Sequence, residues 1–174
     1  YMNKSKEDLN LNKINLKTRY DDKKTLLIKR LLQTYLPYKI RNKIVKKIFN
    51  KILNLSEKEF SKKLYINEKH LVEMHKNKMS FGSHGVDHYW WKNLNYADQS
   101  KEIYNSIKYF KKLNIYDENF SFCYPYGSYN SNTIKILKKV GPRFALTTKV
   151  GTVNQKNISQ NLEFPRLNTN DFKI

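Results

Sequence analysis

The residues of this chain best suited to chemistry are two histidines four positions apart, His84 and His88. They follow a short apolar run, and glycines lie beside them at 82 and 85. Neutral imidazole is a good ligand for zinc and similar divalent metals, and a catalytic metal site keeps an open position. A strand that ends at the first His, with the second one turn later, can direct both rings at one point. The spacing by itself fits turn histidines that hydrogen-bond to the backbone equally well.

A second segment, residues 123–127, reads Cys-Tyr-Pro-Tyr-Gly and has the proline and glycine typical of a turn that leaves a strand. In this order the two segments resemble the polysaccharide deacetylases, the NodB-homology family of carbohydrate esterases. That family carries a His-x-x-x-His pair after one strand and a Pro-Tyr-Gly turn after a later one. The strand-like residues 145–148 and the segment 164–171 extend the resemblance over residues 65–172.

The resemblance implies a metal-dependent hydrolase that removes acetyl groups, with N-acetyl favoured, from a cell-envelope polysaccharide or its sugar precursor. His84, His88 and an Asp would hold the metal, expected to be zinc. The backbone N–H of Tyr126 would help to stabilise the oxyanion. Pro125 and Arg166 are assigned to substrate binding, with a turn-forming role and a plain salt bridge as their respective alternatives.

The chain also departs from the family pattern. The family's Asp-Asp motif supplies a metal ligand and the catalytic base, but the only adjacent pair here, Asp21 and Asp22, follows no apolar strand and precedes a helix. We interpret that pair as a helix N-cap and expect the true motif upstream of Tyr1. Gly85 stands where the family has Ser or Thr, Cys123 replaces the usual Arg, and the closing Leu-x-His is absent. A non-catalytic carbohydrate-binding relative on the same scaffold is therefore an alternative.

Composition constrains function only loosely. The formal net charge is +19, yet only five of the 34 basic residues are Arg, and Lys is scattered over every segment. Specific readers of bases and phosphates are usually Arg, so no specific nucleic-acid partner is expected. A basic module that binds nucleic acid or an anionic surface is the less favoured alternative. Cys123 has no second cysteine to pair with, and no apolar run approaches the length of a transmembrane segment.

The N-terminal part of the sequence has a helical pattern. Residues 1–22 are a polar lead-in, and residues 23–64 are predicted to form helices as an appendage or insertion. Pro37 should end the first of these helices. After it, isoleucines recur every four residues from Ile40 to Ile52 and create one broad apolar face. Packing against the domain is the favoured use of that face, and attachment to a membrane surface is the alternative.

From residue 65 to 174 strands and helices alternate. Helices are predicted at 68–76, 97–113 and 131–140, and strands at 79–83, 120–124, 144–148 and 162–167. Such repetition favours parallel strands joined by right-handed crossovers. We therefore predict an α/β fold, the C-terminal part of a parallel (β/α) barrel-like domain. In that fold active residues gather at the carboxyl ends of strands, which is where His84, His88 and Tyr126 are expected.

Overall fold

The computed structural model describes residues 21–117 and 119–172. The chain divides into two compact units, one on each side of the boundary between Tyr65 and Ile66. Most of the predicted lead-in, residues 1–20, lies outside the described residues. Among the described residues, no helix is both long and apolar enough to cross a membrane.

The first unit is helical. Helix α1 spans Lys23–Arg30 and continues into a π-helical turn at Leu31–Tyr35, α2 spans Tyr38–Leu53, and α3 spans Glu57–Leu64. The Asp22 carboxylate accepts hydrogen bonds from the backbone N–H groups of the first turn of α1, which confirms the predicted N-cap. The backbone is extended at Leu36, before Pro37, as expected where a helix ends at a proline.

The second unit alternates helices and strands, so the predicted mixed α/β fold with parallel strands is confirmed. Its elements in chain order are α4 (Glu68–Lys76), β1 (Gly82–Ser83), α5 (Tyr96–Lys112), β2 (Ser121–Cys123), α6 (Ser131–Val140) and β3 (Phe144–Leu146). The side chains of Asn67 and Asn130 cap α4 and α6, and Gly141 ends α6 in the left-handed conformation. These local signals explain why both helices have their predicted bounds.

The three strands form one parallel sheet in the order β1-β2-β3. Ser83 pairs with Phe122, and Phe122 pairs with Ala145. The fourth predicted strand, 162–167, is reduced to a parallel bridge between Leu146 and Phe164. Parallel neighbours that follow one another in sequence, with a helix between each pair, are the repeating unit of (β/α) barrels. This arrangement brings the carboxyl ends of all three strands to one edge.

The core of the second unit lies between the sheet and the helices α5 and α6. Its most buried large side chains include Trp91, Ile103, Phe122, Tyr124 and Ile136, all at most 1% exposed. Several polar side chains in this core are hydrogen-bonded, although the buried Nε1 of Trp91 has no partner among the described residues. The Thr133 hydroxyl donates to Gln99 Oε1 at 2.6 Å, and Gln99 Nε2 donates to the Leu94 carbonyl at 3.0 Å. The carboxyl edge of the sheet therefore rests on a packed, hydrogen-bonded support.

Candidate metal centre

The two histidines converge. Nε2 of His84 and Nε2 of His88 lie 2.9 Å apart, and the ring centroids are separated by 4.6 Å. Two nitrogens bound to one tetrahedral zinc at about 2.0–2.1 Å would be separated by roughly 3.3 Å. A small outward shift of either ring would admit an ion, so this pair fits a divalent metal.

The sheet itself orients the His84 ring. His84 follows β1 directly, and the parallel register places it beside Cys123 at the end of β2. Nδ1 of His84 lies 2.6 Å from the Cys123 carbonyl oxygen. Because a carbonyl can only accept a hydrogen bond, Nδ1 carries the proton and Nε2 keeps its lone pair. Metal-binding histidines are usually fixed in this way through their second nitrogen.

The loop between the histidines is held by a buried carboxylate on α5. Oε2 of Glu102 accepts hydrogen bonds from the backbone N–H groups of Val86 and Asp87, at 3.0 and 3.1 Å, and Glu102 is only 6% exposed. At the start of the loop, the Ser83 hydroxyl accepts from the Gly85 N–H and donates to Ser106 on the same helix. Sequence reasoning missed Glu102. Its signal is a set of polar residues, at 99, 102 and 106, at helical spacing beside the buried apolar positions of α5.

Gly85 is required by this loop. Its φ is +82°, a conformation that residues with a Cβ rarely adopt. A Cβ built at Gly85 would lie 3.0 Å from Glu102 Oε2 and 3.1 Å from Trp91 Cζ2. The tight approach of Glu102 and Trp91 thus gives a physical reason for Gly at a position where the family pattern has Ser or Thr.

His88 and Tyr126 have strained backbones. Their φ angles are +55° and +57°, and neither is a glycine, an asparagine or a residue at a helix end. The rings of His88 and Tyr126 lie 4.5 Å apart, and the Tyr126 ring stacks on Trp90 at 4.8 Å and 14°. Among the described residues, none accepts a hydrogen bond from the Tyr126 N–H. Strain of this kind persists where the surroundings fix it, and it often marks functional sites.

The turn around Tyr126 is tightly packed. Pro125 is less than 2% exposed, which favours the turn-forming alternative for this residue. Gly127 has φ +65°, and a Cβ there would overlap the Thr148 side chain. The substrate-binding role of Pro125 stays a prediction.

Arg166 lies near the pair. Its charge acts on both His84 and Cys123, lowering the pKa of each as a secondary cause, and its own side chain is exposed. In the part of the chain that the structure describes, no ion pair joins Arg166 to a carboxylate. The salt-bridge alternative is thus not observed there, and the guanidinium is accessible from solvent.

The electrostatics of the two rings differ. Hydrogen bonding to the Cys123 side chain is the main cause that raises the pKa of His84, against the opposing effect of burial. Burial, followed by the nearby charge of His84, lowers the pKa of His88. Hydrogen bonding to His84 also lowers the pKa of the Cys123 thiol.

A third ligand is not found within residues 21–117 and 119–172, where no group of three His, Cys, Asp or Glu side chains could hold a metal. The two aspartates of the first unit have other partners. Asp22 caps α1, and Asp21 forms an ion pair with Lys29 at 2.6 Å. The described residues thus offer two imidazole nitrogens that could bind a metal, together with the groups that support them.

Comparisons with known proteins agree with this site. The sequence model of the polysaccharide deacetylase family matches residues 28–145, which include His84, His88 and Tyr126. The chain is 29% identical over 98 residues to YxkH of Bacillus subtilis (strain 168), whose name assigns it provisionally to the polysaccharide deacetylases. That alignment covers 56% of this chain and 35% of YxkH.

A solved structure is also similar. The Streptococcus pyogenes deacetylase PplD, in complex with acetate, matches with a TM-score of 0.53 and 26% identity over 59% of this chain. The match covers 44% of PplD, so the chain spans less than half the length of either relative. The family match extends over more than half of the chain and includes both histidines and the Tyr126 turn. By these measures the chain belongs to the polysaccharide deacetylase family.

Proposed function

We propose that the intact protein is a metal-dependent deacetylase that hydrolyses N-acetyl groups on the sugars of a cell-envelope polysaccharide or its precursor. The observation that carries this proposal is the 2.9 Å approach of two Nε2 atoms, one of them on a ring oriented by a backbone carbonyl. The family membership supports the reaction class. PplD, solved with acetate, supports an acetyl group as the part released.

His84 and His88 would hold the metal, for which imidazole nitrogen favours zinc. Bound there, zinc would polarise the acetyl carbonyl and lower the pKa of a water ligand. The further ligand and the general base would be carboxylates, which the described residues do not place beside the two histidines. Glu102 would act indirectly as a positioning residue, because its two hydrogen bonds fix the loop that carries His88.

The chain's own residues would then act on the acetyl group. The Tyr126 N–H, which has no acceptor among the described residues, would donate to the developing oxyanion. The Tyr126 ring, stacked on Trp90, would limit the acyl side of the site, and a sugar ring could pack against such an aromatic pair. Arg166 is exposed and would bind polar groups of the substrate.

The proposal is tested on the full-length protein. Acetate release from N-acetylglucosamine oligomers is measured with zinc, after chelation, and after zinc is restored. We expect chelation to abolish activity and zinc to restore it. His84→Ala and His88→Ala should each lower kcat/KM by about 10²-fold or more, since removing either ligand removes the metal's chemistry. The 174-residue chain alone should show little activity, because the described residues place no general base beside the two histidines.

The control is His70→Ala, an exposed histidine at the start of α4 whose loss should leave acetate release unchanged. Full activity after complete removal of metal would overturn metal dependence. A full-length protein that binds zinc and acetylated oligomers but releases no acetate would instead be the non-catalytic carbohydrate-binding relative. Acetate release from O-acetylated oligomers alone would mean that the protein is a hydrolase of ester bonds rather than of amide bonds.

A further inference from the structure

One face of the sheet carries both His84 and Arg166. The parallel register aligns Cys123 with Leu146 and Leu146 with Phe164, so these side chains point to the same face. His84 follows β1 directly and is aligned with Cys123. Arg166 comes two positions after Phe164, which returns its side chain to that face. The register therefore brings a guanidinium to the face that carries the candidate metal centre.

The segment that carries Arg166 is fixed by contacts within the second unit. The Arg166 N–H donates to the Lys149 carbonyl at 2.9 Å. The Tyr129 hydroxyl donates to Glu163 Oε1 at 2.7 Å, and Lys149 Nζ lies 3.6 Å from the same oxygen. Glu163, the carboxylate nearest to Arg166 in sequence, therefore already has two partners.

The charge of Arg166 reaches the site. It opposes protonation of His84 and lowers the pKa of that ring as a secondary cause, and hydrogen bonding to Arg166 contributes to the lowered pKa of the Cys123 thiol. Among the described residues no carboxylate contributes to the shifted pKa of His88, although Asp87 precedes it in sequence. The further metal ligand and the general base, both carboxylates, would cancel a divalent ion in formal charge. The guanidinium would then set the charge of the site.

We propose that Arg166 is a specificity-determining residue that selects a substrate by the charge of the sugar units beside the reacting one. A neighbouring unit with a carboxylate or a phosphate group is attracted to the guanidinium. A neighbouring unit with a free, protonated amine is repelled, because like charges at close range disfavour binding. This role rests on the proposed deacetylase function. Since N-deacetylation itself creates an amine, the enzyme disfavours units next to its own products and leaves free amines spaced apart along the polymer.

The test compares three pentamers of N-acetylglucosamine with one backbone linkage, using the full-length protein with zinc. The first pentamer is neutral, the second is oxidised to carboxylates at C6 of some units, and the third has one acetyl group removed. Relative to the neutral pentamer, we expect kcat/KM for acetate release to be about three- to fivefold higher with carboxylates and about three- to fivefold lower with the amine, as for one exposed charge pair. Both differences should shrink as NaCl rises from about 0.05 to about 0.5 M.

Variants identify the residue responsible. Arg166→Gln should bring the three values to within about twofold of one another, whereas Arg166→Lys keeps the charge and should keep the order of preference. The matched control is Arg143→Gln, which removes the same charge just before the first residue of β3, at the opposite edge of the sheet, and should leave the order unchanged. A merely structural loss would lower all three values together, so the order of preference separates selection by charge from damage to the fold.

Binding of the same pentamers to the metal-free full-length protein, measured by calorimetry, gives a second readout that needs no acetate release. The same order of affinities, lost in Arg166→Gln, would support the role of Arg166 even in a protein that releases no acetate, and only the proposed function would then fail. Equal values for the three pentamers in both release and binding would overturn the role of Arg166, as would a charge preference that Arg166→Gln leaves intact. Neither binding nor release with any pentamer would overturn both proposals.

Discussion

The two units of the chain use their apolar residues in opposite ways. In the first unit, the described residues contain one fully buried large apolar side chain, Leu26, and the isoleucines of α2 are exposed. In the second unit, aromatic and aliphatic side chains from α5, α6 and the sheet form one continuous core. The comparison shows that an amphipathic pattern specifies a face but does not specify what covers it.

The same contrast appears in how each unit uses a carboxylate. Glu59 in α3 accepts a hydrogen bond from the Ser56 N–H at 3.0 Å on an exposed surface. Glu102 accepts two backbone N–H groups inside the second unit, where water cannot replace it. A buried acceptor is costly to lose, whereas an exposed acceptor is replaced by solvent. The candidate metal centre is therefore positioned by interactions that only a packed core provides.

The largest effect is expected from truncation of the core. Phe122→Ala removes a side chain that is 1% exposed, and it should lower the free energy of unfolding by about 3–5 kcal/mol. Ile48→Ala, at a position 49% exposed, should change it by at most about 0.5 kcal/mol. Urea unfolding of the second unit is followed by Trp fluorescence, because both tryptophans lie there, and unfolding of the helical first unit is followed by far-UV circular dichroism. A cost for Ile48→Ala close to that of Phe122→Ala would show that the α2 face is buried in solution.

The next effect concerns Glu102. Glu102→Ala leaves the N–H groups of Val86 and Asp87 without their acceptor, and it should cost about 1–3 kcal/mol of unfolding free energy. Zinc affinity, measured by calorimetry on the full-length protein, should fall by about 10–100-fold because the loop that carries His88 loosens. Glu102→Gln keeps an acceptor oxygen, so it should lower the unfolding free energy and the zinc affinity much less. Glu59→Ala, the equivalent change on the exposed surface, should leave zinc affinity unaltered.

A smaller effect is expected at the helix caps. Asn130→Ala should lower the unfolding free energy of the second unit by about 1–2 kcal/mol, because Asn130 accepts from two N–H groups of α6 next to buried Thr133. Ser56→Ala at α3 should reduce the helical signal in circular dichroism without moving the Trp-monitored transition. A shift of that transition by Ser56→Ala would mean that the two units unfold together.

Sequence reasoning succeeded where the signal is local. The bounds of α4 and α6 follow from Asn67, Asn130 and Gly141, whose side-chain or backbone preferences act within one turn. The strands are shorter than predicted because a strand ends where its neighbour stops pairing. β1 keeps only Gly82 and Ser83 for that reason.

The candidate site was predictable in part for the same reason. His84 and His88 are found by their spacing, and the structure brings them together. The Cys123 carbonyl and Glu102 were missed because they reach the site from 39 and 18 positions away in sequence, through packing that no short pattern encodes. The burial of Pro125 could not be predicted from the motif, because a motif residue gives no information on which way its ring points.

The smallest expected effect is a difference in how His84 and His88 contribute to stability as pH changes, in the metal-free chain. The raised pKa of His84 means that the folded state holds this proton more tightly than the unfolded state. Its contribution to stability is full below the ordinary His pKa and is lost as pH rises through the raised value. The lowered pKa of His88 has the opposite sign, so stability falls as pH drops through the ordinary value and the unfolded state takes up the proton first. The two contributions therefore oppose each other in the native chain. An NMR titration of the ring protons should show His84 titrating above His88, and His84→Gln should lower stability at pH 5 relative to pH 8 while His88→Gln raises it. The reverse order of titration would mean that the Cys123 carbonyl and thiol do not hold the His84 ring in solution, and the preorganised half of the metal centre would lose its support.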